Sequence, residues 1–276
     1  MNKDLANLLT RTLSGAVFVV LVLGGTLLGP WALGAVFFFF AMAGLREAYH
    51  ILAKQPGILP RYTGGYMIGA LIYCLWFAME GSLTDSNVWW LVIPPIVLMW
   101  CTDLIYLEKF SLTHFGATSG GWLYVVVPFA MIHSLANVQG SYDPKLLIGY
   151  FVLLWSNDTF AYLTGRFLGK HKLYEKVSPG KTIEGTLGGF LCCLGAAWLI
   201  STWSTGIPVN DWIIIGGLVS IFATLGDLVE SHMKRSVGIK DSGNLIPGHG
   251  GVLDRFDGMI TSLPIVLVYL KFIIHL

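Results

Sequence analysis

An all-α, polytopic integral membrane fold is what the sequence predicts, and three observations predict it. Of 276 residues, 55% are hydrophobic and only 12% charged, with a mean hydropathy of +0.69, far from the balance of a soluble domain. Apolar stretches of the ~20 residues that a helix needs to cross a bilayer recur with polar breaks from end to end. In lipid each backbone donor and acceptor must be satisfied within its own segment, so the crossings are helical rather than extended.

Nine spans are expected, near residues 12–29, 31–49, 62–79, 88–107, 119–136, 146–165, 186–203, 211–230 and 259–276. Basic residues order them, because Lys and Arg stay on the cytoplasmic side. Lys3 and Arg11 precede the first span. Arg46 lies at the inner end of the second span, Lys54 and Arg61 lie between the second and third, and Lys109 follows the fourth, which Pro94-Pro95 should kink. Arg166, Lys170, Lys172, Lys176 and Lys181 lie between the sixth and seventh, and Lys234, Arg235, Lys240 and Arg255 between the eighth and ninth. With the N-terminus inside and the C-terminus outside, only Lys145 and Lys271 of the 17 basic residues fall outside. The first span lacks a small-x-small cleavage site ahead of a soluble region and is expected to be retained. Cys74, Cys101, Cys192 and Cys193 sit in apolar spans without metal-ligand spacing and read as small buried side chains. The chain divides into N-terminal helices (1–140) and a C-terminal catalytic region (141–276), which together form one continuous membrane protein.

The net charge of +1 gives no case for nucleic acid as a partner, but two segments concentrate the charged and polar residues. Residues 166–185 read RFLGKHKLYEKVSPGKTIEG. Gly180-Lys181-Thr182 invites a P-loop reading that fails, since Glu175 stands where a Walker A glycine is required and no strand precedes the segment. What survives is a cationic loop whose Ser178, Lys181 and Thr182 can bind phosphate oxygens. Residues 230–258 read ESHMKRSVGIKDSGNLIPGHGGVLDRFDG. Just before and within it, Asp227, Glu230, Ser231 and Lys234 recur at helical spacing on one face. An acid at such depth faces a polar cavity, a partner or an ion; an intrahelical pair of Asp227 with Ser231 or Lys234 is the plainer alternative. The glycines of Pro247-Gly248-His249-Gly250-Gly251 can wrap closely around a ligand. Asp254, Arg255 and Asp257 follow, suited to a metal-bound polyphosphate, although capping and anchoring of the last helix suit Asp257 equally. In the sixth span Ser156-Asn157-Asp158-Thr159 forms a polar island, readable as interhelical hydrogen bonding or as part of the site, since Asp158, Tyr162 and Arg166 share a face.

The second segment resembles the signature of bacterial phosphatidate cytidylyltransferases, the CDP-diacylglycerol synthases. Ser231, Lys234-Arg235, Lys240-Asp241, Pro247 to Gly251 and Asp254-Arg255-x-Asp257 match it throughout, and Asn157-Asp158 and the 178–185 loop extend the likeness more weakly over about 130 residues. The resemblance implies transfer of CMP from CTP to phosphatidate in phospholipid biosynthesis, with Mg2+ as cofactor, room for a second cation, and a homodimer in the cytoplasmic membrane. On that basis Asp227 and Asp254 are expected as metal ligands, with Lys234, Arg235, Lys240 and Arg255 around the phosphates. Ser178, Lys181, Thr182, Ser231, Asp158, His249, Gly250 and Gly251 are expected to contact substrate. The rivals are a CTP-dependent polyprenol-type lipid kinase and a transporter of phosphorylated metabolites.

Overall fold

The computed structural model describes residues 3–106, 112–203 and 206–276, so Lys109 lies outside the described residues. Among these, eight helices are long and apolar enough to cross a membrane, and the stretch Ser86–Thr102 is apolar but shorter. The helices are α1 (Lys3–Leu27), α2 (Pro30–Leu52), α3 (Tyr62–Glu80), α4 (Ile93–Tyr106), α5 (Leu112–Gly121), α6 (Val127–Ala136), α7 (Pro144–Leu168), α8 (Ile183–Ser201), α9 (Val209–Ser236) and α10 (Leu253–Val268). A π turn, Trp122–Val126, joins α5 and α6 into one crossing, directly ahead of Pro128, whose missing N–H interrupts regular helical bonding. The all-α membrane fold expected from the sequence is observed.

Three expectations change in detail. Pro94-Pro95 does not kink a long span: a 3-10 turn, Ser86–Val92, leads into α4 at Ile93. The prolines then occupy the first helical turn, where an N–H is not needed. The two polar segments are also less open than read. An antiparallel hairpin, β1 (Lys172–Tyr174) with β2 (Ser178–Thr182), fills the first. In the second, α9 runs on to Ser236 and α10 begins at Leu253, leaving only residues 237–252 between helices.

The chain forms two compact units, Met1–Asn137 with Asp241–Leu253, and Val138–Lys240 with Asp254–Leu276. In the first, hydrogen bonds link several polar side chains inside the crossings to neighbouring helices, as lipid favours. The Tyr73 hydroxyl donates to the Gly34 carbonyl at 3.0 Å and lies 2.9 Å from His133 Nε2. With its one proton given to the carbonyl, it accepts from the ring. Trp122 Nε1 donates to Gly65 O at 2.8 Å and Tyr49 to Thr118 O at 2.9 Å.

The second unit is held by small residues that let helices approach closely. A Cβ on Gly189 of α8 would lie 2.7 Å from the Asn157 carbonyl and 2.9 Å from Ala161 Cβ on α7, and one on Gly216 of α9 would lie 2.9 Å from Ala197 Cβ on α8. Buried Asn157 accepts a 2.5 Å hydrogen bond from Ser220 of α9. The interhelical reading of the polar island therefore holds for Asn157. Between α9 and α10, a Cβ on Gly226 would collide with the Asp257 carbonyl and Thr261, and one on Gly258 would lie 3.0 Å from Ala223 Cβ.

Candidate active site

Gly226 and Gly258 decide where the acids go. Asp227 follows Gly226 and Asp257 precedes Gly258, so the close seam of α9 on α10 draws together carboxylates that stand 30 positions apart in the chain. Asp257 lies within electrostatic reach of Asp158, Asp227 and Glu230, Asp227 within reach of Asp158 and Glu230, Asp254 within reach of Glu230, and Lys181 and Arg255 within reach of Asp158. Gly226→Ala is accordingly expected to cost about 1–3 kcal/mol of stability through overpacking and to lower turnover by displacing Asp227. Unfolding in detergent and turnover of the same sample check it, and wild-type values for both would contradict the seam's role.

Beside this cluster lies a cavity of about 430 Å³ lined by α7, the hairpin, the start of α8, and α9. Asp158, Tyr162 and Arg166 of α7 face Ser178, Lys181 and Thr182 of the hairpin and Asp227 of α9 across it. Lys181 Nζ is 2.6 Å from Asp227 Oδ2, and the Ser231 hydroxyl donates to Asp227 Oδ1 at 3.1 Å. The intrahelical partner of Asp227 is therefore Ser231, with Lys181 added from the hairpin. Thr182 caps α8, its Oγ1 accepting from Gly185 N at 3.1 Å. Glu184 fastens the hairpin to that helix, accepting from Lys170 N at 3.0 Å and meeting His171 Nδ1 at 2.6 Å.

Lys234, which is buried, pairs with Glu230 at 3.1 Å and also with Asp254. Both Glu230 oxygens are buried; Oε2 meets the Lys234 ammonium, and Oε1 has no hydrogen-bond partner among the described residues. Arg235 turns to the end of α9, donating to Ile239 O at 3.0 Å, while Lys240 and Arg255 are exposed.

His249, Gly250 and Gly251 belong to the first unit. There Ile246-Pro247-Gly248-His249 makes a type II turn, with His249 N donating to Ile246 O at 2.9 Å and Gly248 at φ +75°, the left-handed position such a turn requires at its third residue. Gly250 also has positive φ, whereas Gly251 has no room for a side chain beside Glu47 and Ser242. Ser14 Oγ lies 2.7 Å from the Pro247 carbonyl and 2.9 Å from His249 Nδ1. Because the hydroxyl proton goes to the carbonyl, Nδ1 is the donor to Ser14, and the ring is fixed by its tautomer.

No three His, Cys, Asp or Glu side chains among the described residues form a ready-made metal cage. The donor set nevertheless suits a hard cation, since five carboxylates outnumber Lys181, Lys234 and Arg255 and buried Glu230 Oε1 has no hydrogen-bond donor among the described residues. Magnesium typically takes one or two carboxylates and completes its shell with water and substrate phosphates.

A membrane-embedded helical protein with a polar, acid-and-lysine site at the ends of its crossings is the class that fold and site define. Residues 9–273 match the cytidylyltransferase family, and the chain belongs to it. It is 31% identical to a phosphatidate cytidylyltransferase of Staphylococcus haemolyticus over 266 residues, covering 94% of this chain and 98% of that relative. Phosphatidate cytidylyltransferases of Staphylococcus aureus and Staphylococcus epidermidis are 48% and 46% identical over 122 and 128 residues. Those alignments span about half the length of each relative, 46% and 49%.

Proposed function

We propose that this protein transfers CMP from CTP to phosphatidate, giving CDP-diacylglycerol and pyrophosphate. The observation that carries the reading is the cavity of the second unit, where Asp227 and Lys181 stand beside the first turn of α8. Backbone N–H groups and the positive end of a helix favour phosphate there, and Ser178, Lys181 and Thr182 precede that turn. The phosphatidate monoester oxygen is anionic near neutral pH and attacks the α-phosphorus of CTP directly, so no general base is needed. The α-phosphorus to oxygen bond forms as the bond to the β-phosphate bridge breaks, and pyrophosphate leaves with the electron pair.

The chain's task is to offset repulsion between two anionic substrates and to stabilise charge passing to the leaving group. Lys181, Lys234, Arg235, Lys240 and Arg255 supply the fixed cations. Asp158, Ser178, Thr182, Ser231 and the His249-Gly250-Gly251 turn position substrate. Asp227 and Asp254 would hold magnesium, releasing their lysines to phosphate oxygens; a bound cation neutralises polyphosphate charge. A homodimer and a multi-pass location in the cytoplasmic membrane belong to the same reading. The test is pyrophosphate release from CTP by protein purified in detergent, expected with phosphatidate and absent with polyprenol or without lipid. Release indifferent to phosphatidate overturns it.

The basic-residue asymmetry supports a topology with both polar segments inside. Single cysteines introduced within 170–180 and 238–252 should be shielded from an impermeant maleimide in intact cells and labelled after lysis, whereas one near 206–210 should label in both. Labelling of the two polar segments from outside would separate the site from cytosolic CTP.

His249 is assigned to positioning. His249→Gln should keep substantially more activity than Asp254→Asn, because glutamine can still donate toward Ser14. A rate profile titrating in histidine's ordinary range, about 6.5, that loses this limb in His249→Gln would instead make the ring a base.

A further inference from the structure

Glu47 is an acid in the last turns of α2, and its residue is only 8% exposed. Its carboxylate accepts three hydrogen bonds, each at 3.0 Å: Val252 N–H on Oε1, and Leu253 N–H and the Ser242 hydroxyl on Oε2. Both ends of the 242–253 segment are thus tied to one side chain. Leu253 opens α10. The N–H groups that a helix start leaves unpaired are usually met by a local Ser, Thr, Asp or Asn. Val252 cannot do this, and Glu47 takes the part from another helix.

The segment is built around that carboxylate. A Cβ on Gly243 would lie 2.5 Å from Glu47 Oε1, and one on Gly251 would lie 2.6 Å from Glu47 Cδ. Neither glycine has positive φ, so each is needed for the approach of Glu47 rather than for backbone conformation. Within the segment, the Ile246–Gly250 bridge closes the turn that carries His249. An acid in a membrane crossing is costly unless it has such a task.

We propose that Glu47 is a positioning residue for nucleotide transfer, acting as a clamp that closes the 242–253 segment at both ends. It fixes the turn carrying His249, Gly250 and Gly251 in one shape. The functional half of this inference rests on the cytidylyl-transfer reading, while the clamp does not. Glutamine at 47 would keep one carbonyl acceptor but present an amide N–H to a backbone N–H or to Ser242, opening one side.

The experiment compares wild type, Glu47→Gln, Ser242→Ala and the double variant, full-length in detergent micelles. Steady-state turnover, the unfolding midpoint and hydrogen exchange of peptides covering 242–253 are measured together. Glu47→Gln should lower kcat/KM for CTP about tenfold or more, leave KM for phosphatidate and the unfolding midpoint near wild type, and speed exchange in 242–253 alone. Ser242→Ala should do the same more weakly, and the double variant should be no worse than Glu47→Gln, because the two groups act as one unit. Wild-type exchange in 242–253 for Glu47→Gln overturns the clamp, and accelerated exchange with wild-type kcat/KM overturns its role in the reaction. If Glu47→Gln does not fold, Ser242→Ala decides, and wild-type exchange and turnover there overturn the proposal. A wild-type protein that transfers no CMP would refute the functional reading, while exchange would still judge the clamp.

Discussion

Asparagine at Asp227 or at Asp254 is expected to reduce turnover about 10³-fold or more, and the double change to be scarcely worse than either. The two acids lie on consecutive crossings that meet through Gly226 and Gly258, and each now holds a lysine, Lys181 or Lys234. If they share a magnesium cluster, loss of either dismantles it, and groups acting as one unit give strongly non-additive losses. A partially active single variant should need more magnesium. Asp227 is the cleaner probe of chemistry, since its side chain is 39% exposed and removing its charge should cost little stability. Asp241 is exposed and is not one of the assigned metal ligands, so Asp241→Asn should be milder. Turnover measured against magnesium for each variant checks this, and additive losses with unchanged magnesium dependence would contradict a shared site.

Lys234→Met is expected to fail in a different way, losing both stability and turnover. Lys234 bridges Glu230 and Asp254, and the three side chains are 10%, 1% and 7% exposed. Removing the cation strands two buried carboxylates, and breaking such a pair by deleting one partner costs about 3–5 kcal/mol. Adding Glu230→Gln should recover much of the unfolding midpoint by relieving one stranded charge. It should not recover turnover, because the cation assigned to the phosphates is still missing. Unfolding in detergent and turnover of both variants check this. A stable, active Lys234→Met would show that the triad is dispensable.

The spans were legible because run length and lipid burial fix a crossing helix almost without regard to its detailed sequence. Eight of the nine expected crossings recur as long helices. In the fourth, Pro94-Pro95 starts a helix after a 3-10 turn instead of bending one, and the residues beyond Tyr106 lie outside the described ones. Charged residues concealed the true ends of α9 and α10: spans were expected to stop near 230 and to resume near 259, whereas α9 runs to Ser236 and α10 begins at Leu253. The 172–182 hairpin is too short for an alternating pattern to announce it. The spacing offered Lys234 to Asp227, but Lys234 pairs with Glu230 instead, and Asp254 joins them only through tertiary packing. Glu47 left a fainter signal, an acid within the last turns of an apolar span, easily taken for a polar boundary. Its partners stand about 200 positions away, and only the fold brings them to it.

Cytidylyl transfer is tested most directly by following two labels. Purified protein is given magnesium, phosphatidate and CTP labelled at the α-phosphate, or in a parallel reaction at the γ-phosphate, and the lipid is extracted. The account predicts α-label in the lipid and γ-label released as pyrophosphate, with both signals lost in Asp227→Asn. Lipid labelled only from the γ-phosphate, or no labelled lipid from folded wild-type protein, would contradict it.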